Sequence, residues 1–187
     1  NVDSNPQHLI QFAIMGQIYA EQVLNITNPR VGLLSIGEEK EKGNKLNKNT
    51  YEMMEEENEI NNFIGNVEGR DIFKGNCDVV VCDGFVGNIV LKTTEGVASF
   101  VFDLLKDTLT KNLKSKLGAL LLKDELKKMK EKVDYKQYGG APLLGLQGLV
   151  IISHGSSDAQ AIFSAIKVAR EAIQNNVVKI IESKLEK

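Results

Sequence analysis

Four stretches of this chain join glycine to side chains suited to holding an anion. The first is Ile36-Gly37-Glu38-Glu39, with Lys42-Gly43-Asn44 close behind. The others are Gly65-Asn66-Val67-Glu68-Gly69-Arg70-Asp71, Asp83-Gly84-Phe85-Val86-Gly87-Asn88, and His154-Gly155-Ser156-Ser157. Glycine lets backbone N–H groups come close to a ligand and permits positive φ. A helix N-terminus adds unpaired N–H groups and a partial positive charge. Together they favour a phosphate or a developing oxyanion. Taken singly, each junction is a tight strand-to-helix turn, with Asn88 and Ser156 as plain N-caps. Four of the kind, with Lys42 and His154 among them, point to a site. Familiar phosphate and nucleophile motifs are absent: there is no G-x4-G-K-[ST], no G-x-G-x-x-G and no G-x-S-x-G. Cys82 closes an apolar run and reads as packing, not as a nucleophile.

The elements that must position these groups are legible as an alternation. Pro6 opens a helical pattern that Asn28-Pro29 ends. Arg30 to Gly37 reads as a buried strand, about Thr50 to Glu59 as a helix, and Asn62 to Gly65 as a short strand. Val79 to Cys82 is the next strand. A long helix from about Asn88 to Leu113 follows, then a second from Leu117 to Lys132 after a break near Gly118. Gly139 to Pro142 is a loop, Leu149 to Ile152 a last strand, and Asp158 to about Leu185 a final helical region. Continuous apolar strands between helices imply an α/β domain with a mostly parallel sheet and helices on both faces. The whole chain, 1–187, reads as one domain carrying a protruding helical hairpin at 106–136.

Length suits one sizeable core. No apolar run reaches the ~18–20 residues that span a bilayer, and the start lacks a signal-peptide pattern. Cys77 and Cys82 lack metal-ligand spacing, and reduced thiols beside a strand are expected. The formal net charge is −2, and its distribution is uneven. Residues 106–136 hold ten lysines against five acidic groups. Within them Leu113, Leu117, Leu120 and Leu121 share one helix face, flanked by lysines that include Lys123 and Lys127. A basic amphipathic hairpin suits an anionic membrane surface or an acidic partner. A dimer-packing helix pair with a solvated lysine face is the bland alternative.

These stretches, in this order, resemble the phosphate acyltransferases of bacterial phospholipid synthesis, the PlsX family. Gln11 to Gly16, Pro29 to Glu39 and Tyr138 to Gly145 add to the match. The resemblance covers nearly the whole chain but only the C-terminal part of a longer family pattern. It implies transfer of a long-chain acyl group from an acyl carrier protein thioester to inorganic phosphate. It also implies a fold similar to the isocitrate/isopropylmalate dehydrogenases and phosphotransacetylases. A homodimer peripherally associated with the inner face of the membrane is implied too, cytoplasmic in location. No cofactor, metal or nucleic acid is expected.

Phosphate is already an anionic nucleophile at neutral pH, so this reaction needs positioning and charge stabilisation, not a covalent enzyme intermediate. The resemblance supports catalytic roles for Lys42, Asn88 and His154. Lys42 can offset the charge of phosphate or oxyanion, and Asn88 can donate through its amide. His154 can bond the phosphate or protonate the departing thiolate. Gly43, Asn44, Gly84, Gly87, Gly155, Ser156 and Ser157 are the expected phosphate- or substrate-binding positions. Leu117, Leu120, Leu121, Lys123 and Lys127 are the expected membrane or partner contacts. The bland readings are a solvated Lys42 among its lysine neighbours, a helix-capping His154, and ion pairs among Glu38, Glu39, Glu68, Arg70 and Asp71. At the level of function the alternative is a non-catalytic binding module docking on membrane or carrier protein. A nicotinamide dehydrogenase is weaker, for want of a dinucleotide fingerprint.

Overall fold

The computed structural model describes residues 1–133, 140–155 and 157–186, with backbone alone for 130–133. Helix α1 (Pro6–Gln22) begins where Asn5 and His8 cap each other. The Asn5 side chain accepts from the His8 N–H at 3.0 Å, and His8 Nδ1 accepts from the Asn5 N–H at 3.3 Å. Pro6 at the first helical position lacks the N–H that would go unpaired there. The helix is apolar around much of its girth, and Leu9, Ile10, Ala13, Ile14 and Ile18 are buried. Such a helix belongs inside the core. Gly16 allows the closest approach to the sheet, since a Cβ there would lie 2.7 Å from Val79 Cγ1. Buried Gln17 is satisfied by the Glu59 carbonyl and the Asn61 N–H.

Strands β1 (Val31–Leu34), β2 (Phe63–Val67) and β3 (Val79–Val81) form a parallel sheet in the order β2-β1-β3. All four residues of central β1 are buried, as its continuous apolar run requires. Val31 stands opposite Phe63 and Val79; Leu33 stands opposite Asn66 and Val81. Arg30 and Asp78 clamp the entry to this pairing. The Asp78 carboxylate accepts from the Arg30 backbone N–H and Nε, both at 2.8 Å, and from Nη2 at 2.9 Å. The Arg30 guanidinium thereby holds the Asp78 carboxyl below its usual range.

Helix α2 (Lys45–Glu56) is capped by Asn44, whose side chain accepts from the Asn47 N–H. Helices α3 (Gly84–Thr110), α4 (Leu113–Leu121) and α5 (Lys123–Val133) follow β3 in succession. Two short strands, β4 (Ala141–Pro142) and β5 (Ile151–Ile152), pair antiparallel, and helices α6 (Ala159–Gln174) and α7 (Val177–Leu185) end the described chain. Val177, Ile181 and Ala172 join α1, β1, Met54 and Ile60 in one core.

Several boundaries differ from the sequence reading. Helix α3 begins at Gly84, not near Asn88, because Asp83 caps it through the Val86 N–H at 2.8 Å. The helical segment beyond breaks at Asn112, which caps Ser115, and again at Leu122, while Gly118 sits inside α4. The last apolar run does not join the parallel sheet. Its Ile151 and Ile152 pair with Pro142 and Ala141, where proline's missing N–H suits only an edge position. The final helical region splits at Asn176, which takes a left-handed φ of 52°. The parallel α/β class stands on β1, β2 and β3.

Candidate functional site

The carboxyl ends of β1 and β3 open into a cleft of about 420 Å³. Ligands in open α/β folds bind at this end of the sheet. Ser35 and Ile36 come from the end of β1, Gly43, Asn44 and Asn47 from the entry to α2, and Cys82 and Asp83 from the turn into α3. The N-termini of α2 and α3 therefore meet at the cleft.

The α2 side is tied down by one residue. Asn47 donates its backbone N–H to Asn44 Oδ1 at 2.9 Å and its side-chain Nδ2 to the Leu34 carbonyl at 2.6 Å. The last turn of chain before α2 is thus locked to the last residue of β1. Gly43 sits between them at φ 95°, and a Cβ there would lie 2.6 Å from Asn47 Cβ and 2.9 Å from Ser35 Oγ. Only glycine fits this position without displacement. Ser35 Oγ is itself buried and has no hydrogen-bond partner among the described residues. A hydroxyl in that state is a donor and acceptor in waiting at the cleft wall.

The α3 side is more acidic and more apolar. Asp83 spends one carboxylate oxygen on its cap, and Val86 faces the cleft one turn in. Burial, and next the neighbouring Asp83 charge, push the Cys82 thiol up. Cys82 is therefore held as a thiol near neutral pH, the opposite of an activated nucleophile. Cys77 and Cys82 are both free, and burial raises Cys77 as well.

Of the residues expected from the sequence, Gly43 and Asn44 line the cleft. Lys42 lies on the adjoining turn, exposed, with its stem over Gly37: a Cβ at Gly37 would lie 2.8 Å from Lys42 Cγ. Gly84 opens α3, but its N–H donates to the Asn1 carbonyl at 2.7 Å. The Gly87 N–H donates to the Asp83 carbonyl at 2.9 Å, so it is committed to the helix and not to an anion. Asn88 is an exposed residue inside α3, past the capping turn. His154, Gly155 and Ser157 follow β5, and none of them is among the residues lining the cleft. The Ser157 N–H donates to the His154 carbonyl, and Asp158 caps α6. Ser156, Tyr138 and Gly139 lie outside the described residues. Sequence reasoning missed Ser35, Asn47, Cys82 and Asp83 as cleft residues. The one signal for Asn47 was its place three residues after Asn44, the spacing of a cap and its recipient N–H.

The ion pairs expected near the end of β2 form, with a change of partner. Arg70 pairs with Glu68 and lies 3.7 Å from Glu38, while Asp71 pairs with Lys74 at 2.8 Å. The Lys74 contact, and next the Glu68 N–H, hold the Asp71 carboxyl below its usual range. In the basic segment Leu117, Leu120 and Leu121 are 64, 67 and 87% exposed, and Lys123 and Lys127 are exposed beside them. Among the described residues no helix is long and apolar enough to cross a membrane.

Comparison with known proteins finds matches over nearly the whole chain. The model of a family described as fatty acid synthesis protein matches residues 1–180. A phosphate acyltransferase of Halothermothrix orenii is 63% identical over 187 residues. Phosphate acyltransferases of Bacillus licheniformis and Bacillus subtilis are 52% and 51% identical over 186 and 185 residues. These alignments cover 99–100% of this chain but only 55–56% of each relative. The chain thus spans a little over half the length of the relatives it matches.

Proposed function

The chain belongs to the fatty acid synthesis protein family, and we propose from that premise that it takes part in acyl transfer to phosphate. The acyl donor is a long-chain thioester of acyl carrier protein, the acceptor is inorganic phosphate, and the product is an acyl phosphate for phospholipid synthesis. The observation that carries this reading is the cleft where α2 and α3 begin. It offers an anion the N-terminus of α2 and a buried Ser35 hydroxyl with no hydrogen-bond partner among the described residues, beside a cysteine held as thiol. Direct attack by phosphate on the thioester needs that set and no enzyme nucleophile. Lys42 supplies the mobile positive charge from the adjoining turn. Gly43 and Asn44 form the wall against which phosphate rests. Asn88 and His154 are proposed as further catalytic groups, with Gly84, Gly87, Gly155, Ser156 and Ser157 as binding positions. For Gly84 and Gly87 the contribution is lack of bulk, since both N–H groups are already bonded.

The fold relation to isocitrate/isopropylmalate dehydrogenases, the homodimer and the cytoplasmic, membrane-peripheral location are parts of the same proposal. The exposed leucines of α4 favour the membrane contact. The test of the reaction is acyl-phosphate formation from long-chain acyl-(acyl carrier protein) and inorganic phosphate. It is run with this chain and with a chimaera in which this chain replaces the corresponding part of a full-length relative. The chimaera is expected to be active. Lys42→Ala in it is expected to lose about a hundred- to a thousandfold in rate, the usual effect of removing one oxyanion donor. A loss below about threefold in a folded variant removes Lys42 from the mechanism. An inactive chimaera with wild-type folding removes the reaction from this chain.

A further inference from the structure

The face of α3 that enters the cleft does not stop there. Val86, the pair Ile89 and Val90, Thr93, and the pair Val97 and Ala98 stand at successive turns, which sets them along one side of the helix. Val86 lines the cleft. The other five, with Thr94, line a second groove of about 530 Å³. Its opposite wall is Gly69, Ile72 and Phe73, from the connection between β2 and β3. No charged residue is among the described residues that line it. Phe73, Ile89 and Val97 are 72, 48 and 55% exposed, so apolar side chains stand open to water along its length. A Cβ at Gly69 would meet nothing within 4 Å, so the wall is recessed there.

We propose that this groove holds the hydrocarbon chain of the acyl donor, with the carbonyl end at Val86 and the methyl end near Val97 and Ala98. The inference rests on the acyl-transfer reading above and deepens it by placing the acyl group. Three observations select a single aliphatic chain over a protein partner. The groove begins one helical turn past the cleft on the same side of α3, so a chain lying in it can direct its carbonyl toward the anion site. Its volume lies in the ordinary range for small-molecule sites, about 300–1,000 Å³. Its length also matches: the eleven helical steps from Val86 to Val97 rise about 16 Å, room for on the order of a dozen methylenes. A saturated chain needs no hydrogen-bond partner, and the lining offers almost none. The threonines present methyl groups as well as hydroxyls.

The test is binding of cis-parinaric acid, a fluorescent long-chain acid, to this chain, with displacement by saturated acids from octanoic to palmitic. Affinity should rise with length by at most roughly fourfold per methylene, then level off once the stripe is covered. Ala98→Phe fills the far end and should move the levelling point to shorter acids, weakening palmitic acid more than tenfold while leaving octanoic acid unchanged. Gly69→Leu has no positive φ to strain and open space before it, so it folds and narrows the groove from the other wall. It should weaken all acids alike. Inorganic phosphate binding, measured in parallel, should be the same in both variants. Failure of wild type to bind the probe overturns the proposal. So does an unshifted length profile in Ala98→Phe with unchanged melting temperature. If the variants alter sedimentation and not acid binding, the groove is a protein interface and the proposal falls. If the length profile shifts while the chimaera makes no acyl phosphate, the groove assignment stands and the acyl-transfer reading fails.

Discussion

Three glycines, one of them at the cleft, separate the two costs of adding a methyl group to this fold. Gly75 has φ 71° and open space around its missing Cβ, so Gly75→Ala meets backbone strain alone. That costs about 1–2 kcal/mol. Gly32 has no such φ, but its Cβ would lie 2.6 Å from Val67 Cγ1 and 2.9 Å from Cys77 Sγ. Gly32→Ala therefore meets crowding alone, about 1–3 kcal/mol. Gly43 meets both, with φ 95° and contacts of 2.6 and 2.9 Å to Asn47 and Ser35. Its substitution should cost the sum, about 2–5 kcal/mol, out of a total stability that in most domains is about 5–15 kcal/mol. Alanine also stiffens the unfolded chain, by about 0.4–1 kcal/mol, but equally in all three, so the comparison is insensitive to it. Urea unfolding of the three variants gives midpoint and slope together. If Gly43→Ala loses no more than Gly75→Ala, the wall formed by Asn47 and Ser35 yields, and the argument for a rigid cleft is wrong. If it loses the full sum, phosphate binding by the surviving folded fraction should fall as well, because the methyl group sits against the Ser35 hydroxyl.

The Arg30–Asp78 clamp predicts a pH dependence. The Asp78 carboxyl titrates below its usual range in the folded chain, so its contribution is present above the unfolded value, about 3.9, and is lost as pH falls through the lower folded value. Urea midpoints of wild type and Asp78→Asn should therefore differ by a constant amount above about pH 5 and converge below about pH 4; a gap that persists at the lowest pH contradicts the assignment. On α4, Leu120→Glu and Leu121→Glu should weaken flotation with anionic vesicles or shift the sedimentation coefficient toward the monomer. Unchanged behaviour in both assays would make the segment a plain surface helix.

Helix α1 and strands β1 and β3 were legible because each is a long or continuous apolar run bounded by Pro6, Pro29 or glycine. The start of α3 was not. The stretch Cys82 to Asn88 holds two capping residue types, Asp83 and Asn88, and its two glycines read as loop. The choice falls to Asp83 because its carboxylate reaches the Val86 N–H, after which Gly84 and Gly87 are carried as poor but tolerated helix residues. The run Leu149 to Ile152 shows the limit of hydrophobicity as a guide. It reads as a buried strand, yet Val150 and Ile152 are 42 and 54% exposed, and only a two-residue ladder forms. For the cleft, Gly43 and Asn44 were legible as part of a glycine-bearing junction after a strand. Ser35 was not, because its significance lies in what surrounds its hydroxyl, and Asp83 was read as part of a turn.

Charge then divides the proposed site into two halves. Asp83 stands on the α3 side, and no acidic residue lines the α2 side, where Ser35, Gly43, Asn44 and Asn47 meet. Two unit charges about 4 Å apart interact by about 4 kcal/mol at an effective dielectric of 20. A phosphate placed beside Asp83 would therefore be opposed by that much per unit charge. The first-turn N–H groups there contribute less, typically about 0.3–1 kcal/mol for an exposed helix end. No acidic residue is among the described residues lining the α2 side, and Lys42 stands two residues from Asn44 with the Glu39 carboxylate beside its stem. On the proposed reading the anion therefore sits against α2 and the apolar acyl chain against α3, with Val86 between them. That polarity also accounts for Asp83. Burial, and next the Asp83 charge, push the Cys82 thiol up, and that charge opposes an anion in the half of the cleft proposed for the thioester.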